Sequence, residues 1–415
     1  MSVQTDVARR SIRAMLRRMH AGRLTVVEDG RRAVFGPGGE PHATVEVRSP
    51  AFWPALLHGS RGLAEAYVDG LWDSPDVTAV VRVAARNVVL LDDIKRRVAL
   101  VREPVVRARA AFVRNDRRRS RRDISAHYDL GNDLYELMLD ETMMYSSAIF
   151  ARPDMTLREA QEAKLDRVCA QLALGPDDHV IEIGTGWGGF AIHAARTTGC
   201  RVTTTTISRE QRALALERVA EAGLSDRVTV LDHDYRDVRG RYDALVSLEM
   251  IEAVGWKDFD TFFRCCSDLL KDDGAMLLQA IVVDDRAYEV EKASRSFIRT
   301  MIFPNGCLPS QEVIARCVAR VTDLRTVDLF DMTASYPETL RRWRAAVEAH
   351  AGELDALGYD ERFRRLWRLY LCYSEAGFEE RRIGDVQLTL AKPRWRRDVS
   401  AREWARDERL VERAA

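Results

Sequence analysis

From Thr156 to Val283 the chain alternates short apolar runs with longer helical stretches, and few folds accept that alternation. Thr156-Leu-Arg-Glu159 is a capping-box signature that opens a helix to about Leu174, where Gly175-Pro176 ends it. His179 to Ile183, Arg201 to Ile207, Arg227 to Leu231, Tyr242 to Leu248 and Ala275 to Val283 read as strands. Helices are expected through Arg196, from Arg209 to Ala222 and from Lys257 to Leu270. This order predicts an α/β fold: a doubly wound parallel sheet with helices on both faces and ligands at the strand C-termini. Residues 284–380 carry largely helical material before a closing strand at about 385–390, an expected cap over those ends. Ahead of the alternation, residues 1 to about 92 read as a small mixed α/β unit, with strand-like stretches at Leu24 to Val27 and Ala43 to Val47. The expected domains are therefore 1–122, including a basic linker, and 123–415.

A length of 415 residues suits about two or three domains. Hydrophobic residues at 46% and charged residues at 31%, with 64 Lys+Arg against 64 Asp+Glu, exclude a disordered, collagen-like or membrane-spanning chain. Seven scattered cysteines, with no C-x-x-C pair and no His at zinc spacing, fit a reduced compartment and no metal site. The first residues lack the apolar core of a signal peptide, so a cytoplasmic location is expected. No apolar run approaches the roughly 20 residues that cross a bilayer, so membrane contact would be peripheral, on the inner face. One charge run breaks the balance: Lys95 to Arg122 holds twelve Lys/Arg against Glu103 and Asp116. It reads either as a solvated helical linker or as a cationic amphipathic segment lying on anionic lipid. Nucleic acid is a poorer fit, because only Phe112 offers a stacking face there.

Glu182-Ile-Gly184-Thr-Gly186-Trp-Gly188-Gly189 sits at a strand-to-helix turn, where glycines let the backbone approach a ligand. These glycines also satisfy a dinucleotide fingerprint. A dinucleotide site, however, needs an acid about 20 residues on, and the next strand ends Thr203-Thr-Thr-Thr206-Ile-Ser208 with no carboxylate. The acid at Glu182 precedes the glycines instead. That placement matches S-adenosylmethionine enzymes, whose strand-end carboxylate lies near the methionine portion; the alternative is a solvated strand end. Gln211 is either a ligand group beside Thr206 or half of a capping box with Ser208. Asp234 follows the third strand, where it serves the adenine amino group or a simple turn.

Longer segments resemble the cyclopropane-fatty-acid synthase family, which includes the mycolic acid cyclopropane synthases. They are His127-Tyr-Asp-Leu-Gly-Asn-Asp133, Met143-Met-Tyr145-Ser146-Ser147-Ala148, Glu182 to Phe190, Glu249-Met-Ile-Glu252-Ala-Val-Gly255, Ile302 to Ser310 and Leu369 to Phe378. The resemblance runs from about residue 123 to the end. Gly59 to Trp72 further resembles the N-terminal domain of the phospholipid-acting members, and so implies a phospholipid substrate.

The resemblance implies attack of a cis double bond on the methyl of S-adenosylmethionine, with a carbocation then deprotonated by bound bicarbonate. By motif, the bicarbonate pocket falls on Glu252, on Tyr370 and on the backbone of Ile281. Ser147 stands where many members have Cys, and Gln279 where many have His; both keep hydrogen-bonding capacity. Loss of the His leaves open a protein carboxylate, such as Glu249 or Glu141, as base. The resemblance also implies cofactor contacts from Tyr145 and Ser146, cation stabilisation by Tyr145 and Tyr370, and an apolar lid around Phe297, Ile302 and Phe303. His127 is either cofactor-proximal or structural. Cyclopropanation is the first expectation, and a methylene or methyl-branched product the second. Ordinary O- or N-transfer to a small molecule stands third. The N-terminal unit is open to dimerisation, lipid docking or both.

Overall fold

A computed structural model describes residues 3–87, 131–293, 296–304 and 306–396. The basic run 95–122, Arg117 to Arg119 and His127 lie outside them. The chain forms two compact units: Met1–Arg114 with Ser294–Pro304 and Trp343–Ile383, and Asn115–Ala293 with Asn305–Arg342 and Gly384–Ala415. Two helical segments of the expected cap thus group with the N-terminal unit, because their apolar faces are buried there rather than on the second sheet.

In the first unit, β1 (Gly22–Glu28), β2 (Arg31–Gly38), β3 (His42–Val47) and β4 (Trp72–Asp73) form a sheet ordered β2-β1-β3-β4. Asp29 and Gly30, both at positive φ (49° and 73°), make the tight turn of the β1–β2 hairpin, while β1 and β3 are parallel. Strand β2 escaped the sequence reading because its Gly-Pro-Gly end resembles loop. The Glu361–Glu379 helix packs on Val77–Arg86 and Gly59–Val68, burying Trp53, Trp72, Trp343, Trp367 and Tyr67. Its buried acids meet cations: Glu375 pairs with Arg344 beside Thr78, and Glu28 takes Arg9, Arg13 and the Trp53 indole.

The second unit is the α/β body. Strands β5 (His179–Ile183), β6 (Arg201–Thr206), β7 (Val228–Asp232), β8 (Tyr242–Leu248), β9 (Leu270–Val283), β10 (Arg325–Asp331) and β11 (Ile383–Ala391) are ordered β10-β11-β9-β8-β5-β6-β7. The pairs from β7 through β6, β5 and β8 to β9 are parallel, whereas β10 and β11 are antiparallel. Chain order reverses between β5 and β8, so a crevice opens at their carboxyl ends. Buried on both faces, these strands are mostly apolar, as Val180, Ile181, Leu245, Val246, Leu277 and Leu278 show, with β6 the threonine-rich exception. The Thr156–Glu159 capping box forms as expected and starts the Leu157–Gln171 helix. All seven cysteines are free thiols. Among the described residues no helix is long and apolar enough to cross a membrane.

Candidate active site

A pocket with about 1140 Å³ of empty space, its open mouth included, lies in the second unit at the carboxyl ends of β5, β6 and β8. Its wall is built by the β5 turn. Gly184 and Gly186 sit at φ 100° and 50°, and a Cβ on Gly186 would meet nothing within 4 Å. That turn therefore presents bare backbone to the cavity. Gly188 does not line the pocket; at φ 85° it is the N-cap of the Gly189–Thr198 helix.

Glu182 ends its strand facing the cavity. Burial pushes its carboxyl up to about 8, although a Thr204 hydrogen bond and the Lys164 ammonium oppose that rise. Its Oε2 is buried without a hydrogen-bond partner among the described residues. Such an atom calls for a ligand cation, since an unpaired buried carboxylate costs several kcal/mol. S-adenosylmethionine carries a sulfonium and an ammonium, and the residues fit it.

Tyr145 and Ser146 also line the pocket. Tyr145 meets Tyr135 edge-on at 5.1 Å, and Ser146 Oγ receives the fully buried Lys164 Nζ at 2.7 Å. Burial lowers Lys164 to about 8, opposed by Glu249, Asp140, Asp385 and Glu182. Thr206 and Gln211 stand together on the wall: the Thr206 hydroxyl donates to Gln211 Oε1 at 3.0 Å, while Ser208 Oγ accepts from the Gln211 N–H. Only half of the expected capping box exists, because Thr206 captures the other half. Asp234 lines the pocket too, but its oxygens accept from Arg236 Nε and Nη2 at 2.8 and 2.6 Å. Any adenine contact there must compete with that guanidinium.

Behind the wall lies a cluster of acids. Glu249 lines the cavity, at φ 51°, a left-handed backbone that non-glycine residues seldom adopt. Its Oε1 accepts from the Ser147 N–H at 2.8 Å and Gln279 Nε2 at 2.7 Å, and its Oε2 from the Tyr336 hydroxyl at 2.5 Å. Gln279 Nε2 also donates to Asp385 Oδ2 at 3.1 Å. Burial raises both carboxyls, and for Asp385 the neighbouring Glu249 and Glu252 add to it. Glu252 Oε1 accepts from the Ile281 N–H at 2.6 Å; its Oε2 is buried and unpartnered, and burial followed by the Glu249 charge lifts it to about 8. These acids do not gather into a metal site among the described residues.

The expected bicarbonate donors are spent inside the protein. Ile281 N–H holds Glu252, the Gln279 amide serves two carboxyls, and Ser147 Oγ donates to the Ala148 carbonyl. Glu252, Ser147, Gln279 and Ile281 all lie outside the pocket lining. Tyr370 belongs to the first unit, where it packs against Phe303 at 5.9 Å and Trp367 at 5.1 Å. Phe297 and Ile302 also belong there, flanking a π-helical turn, Ile298–Ile302. Among the described residues of the second unit, the Ile281 N–H, the Gln279 amide and Ser147 Oγ are thus each engaged by protein atoms rather than left open to an anion. Glu141 is exposed, with only its carbonyl engaged, by Arg218, and does not reach the pocket. Sequence reasoning missed Lys164, Tyr336 and Asp385. Each is distant in sequence from the motifs, and no local pattern marks them.

The profile of a family described as mycolic acid cyclopropane synthetase matches residues 115–388. Tuberculostearic acid methyltransferase UfaA1 of Mycobacterium tuberculosis is 40% identical over 342 residues, 81% of this chain and 79% of that protein. Cyclopropane-fatty-acyl-phospholipid synthase of Escherichia coli K12 is 36% identical over 362 residues, 86% of this chain and 89% of that protein. The solved structure of mycolic acid cyclopropane synthase CmaA1 complexed with SAH and CTAB superposes with a TM-score of 0.61 at 31% identity, covering 66% of this chain and 98% of that one. The expected methyltransferase-type α/β fold is therefore present.

Proposed function

Because the chain belongs to the mycolic acid cyclopropane synthetase family, whose chemistry is S-adenosylmethionine-dependent methyl transfer, we propose that it methylates the cis double bond of an unsaturated phospholipid acyl chain, leaving a methylene group, the precursor of a methyl branch. The observation that carries this reading is the acid-rich, cation-poor pocket floor. Glu182 and Glu249 line the cavity with Asp385 behind them, and one buried lysine, Lys164, interacts with all three, an arrangement suited to a cationic donor and a cationic intermediate in a dry site.

The cofactor, when bound, supplies an electrophilic methyl. Glu182 would hold its cationic methionine portion, and the Gly184–Gly186 turn its nucleoside. Lys164 fixes Ser146, and its ammonium works against protonation of Glu182, Glu249 and Asp385. With the bicarbonate donors spent, no separate anion waits beside the delivered carbon. A hydride shift then precedes proton loss, which favours the methylene over the ring. The 40% identical methyltransferase supports the same exit. Ring closure is the second reading, favoured by the 36% identical synthase that spans 86% of this chain, its Gly59–Trp72 segment included in the resemblance.

Lipid mass spectrometry after expression in a host rich in unsaturated phospholipids tests this. Acyl chains heavier by one CH₂ are expected, with vinylidene protons in the NMR spectrum; cyclopropyl protons would select the ring, and unchanged lipids would overturn the reading. Substrate access through an anionic membrane surface is proposed to use the basic run. Arg117, Arg118 and Arg119→Ser should weaken sedimentation with anionic vesicles, and unaltered sedimentation would make that run a linker.

A further inference from the structure

The geometry points to Glu249, paired with Asp385 across Gln279, as the protein's own base: it takes the proton from the delivered carbon, in place of a separately bound anion. This rests on the function proposed above. Four observations carry it. Among the described residues Glu249 is the one member of the acid cluster besides Glu182 that lines the cavity, so of the candidate bases only it borders the space open to a guest. Its orientation is fixed by the Ser147 backbone N–H, the Gln279 amide and the Tyr336 hydroxyl, and Gln279 is one of the two positions that depart from the family pattern. That departure thus helps to hold a protein carboxylate where the resemblance expects a bound one. A left-handed backbone at a glutamate is a strained choice, of the sort retained at functional positions.

The fourth observation concerns protons. Asp385 Oδ1 is buried without a partner among the described residues, and the same Gln279 Nε2 that holds Glu249 Oε1 donates to Asp385 Oδ2. Two buried carboxyls bridged by one amide hold one proton more readily than two negative charges, which leaves one of them ionised and able to accept. In the step itself a C–H bond of the delivered carbon breaks, and its electron pair becomes the second bond of the methylene. The proton passes to the Glu249 carboxylate. Cation and anion are both neutralised, and no oxidant or reductant is consumed. The proton must return to solvent before the next turnover.

Three measurements on the full chain decide the matter. Wild-type turnover on unsaturated phospholipid vesicles should be unchanged when bicarbonate is stripped from the buffer. Glu249→Gly suits the φ of 51°, so it should fold and bind S-adenosylhomocysteine within a few-fold of wild type by calorimetry. Its turnover should fall roughly 10²–10⁴-fold and recover in part with formate or bicarbonate, which Glu249→Gln should not do, because the amide fills the vacated space. Independently of activity, infrared spectra should show a buried protonated carboxyl band that is lost in both Glu249→Gln and Asp385→Asn. Bicarbonate-dependent wild-type turnover, a fully active Glu249→Gln, or a carboxyl band untouched by both variants would each overturn the assignment. If the wild type modifies no lipid at all, the proposed function fails instead, while the infrared and binding results still judge the pair.

Discussion

Buried acids in the first unit and the acid cluster behind the pocket of the second are handled in opposite ways. In the first, Glu375, Glu28, Glu380 and Asp73 each have a guanidinium: Arg344 on Glu375, Arg9 and Arg13 on Glu28, Arg82 and Arg86 on Glu380, Arg365 on Asp73. In the second, Glu182, Glu252 and Asp385 keep a buried oxygen without a donor among the described residues, and Lys164 is the cation shared by Glu182, Glu249 and Asp385. Matched charges fix a fold. Unmatched ones in a cavity hold a place for a charged guest, and their cost is offset when the guest arrives.

The contrast can be broken most forcefully at Glu375. Glu375→Ala strands Arg344 and should destabilise the protein by about 3–5 kcal/mol in denaturant unfolding, with cofactor affinity unaltered in the fraction that remains folded. An equal loss from Glu182→Gln would erase the distinction. Glu182→Gln should instead leave the ligand-free protein as stable or more so, while weakening S-adenosylmethionine binding by about 1.5–3 kcal/mol, read by calorimetry.

Opposite pH slopes are expected next. Glu182 and Glu252 stand near 8 in the folded chain against an ordinary 4.5, so between those values the unfolded chain binds fewer protons than the folded one. Ligand-free stability should fall as pH rises through that window, by up to about 1.4 kcal/mol per pH unit for each group, and level off above it. Asp73 and Glu380 run the other way. Burial works to raise them, but for Asp73 the Ser74 N–H and Arg365, and for Glu380 Arg86 and Arg82, prevail and hold them below the usual range. The stability they contribute is present above the ordinary carboxylate range and is lost as acid titrates them. Thermal unfolding from about pH 2 to 9, with Glu182→Gln flattening the upper limb, checks both signs. The smallest effect should be indifferent to the unit: Asp76→Ala and Ser208→Ala each remove one helix N-cap, at about 1 kcal/mol. A much larger loss at Ser208 would tie that cap to the Thr206–Gln211 wall.

Much of the body was legible because its signals are local. The capping box at Thr156, the strand ends at Ile183 and Leu248, and the glycine turn after Glu182 all depend on neighbours within a few residues. Glu252 and Ile281, expected around a bound anion, are hydrogen-bonded to each other. Gln279 and Ser147 illustrate the limit. Sequence shows that each can hydrogen-bond but not with whom, and the partners turn out to be Glu249, Asp385 and Ala148.

Alternation and spacing alone therefore determined a parallel α/β sheet with a cofactor turn at the end of its first strand, since backbone hydrogen bonding and side-chain periodicity act over a few residues. Which acids would lose their water, which donors would be committed, and that a lysine from the Leu157–Gln171 helix would sit among carboxyls from β5, β8 and β11 were decided only by the fold. Desolvation and charge pairing depend on what lies nearby in space, and residues more than two hundred positions apart, such as Lys164 and Asp385, become neighbours only when the sheet closes.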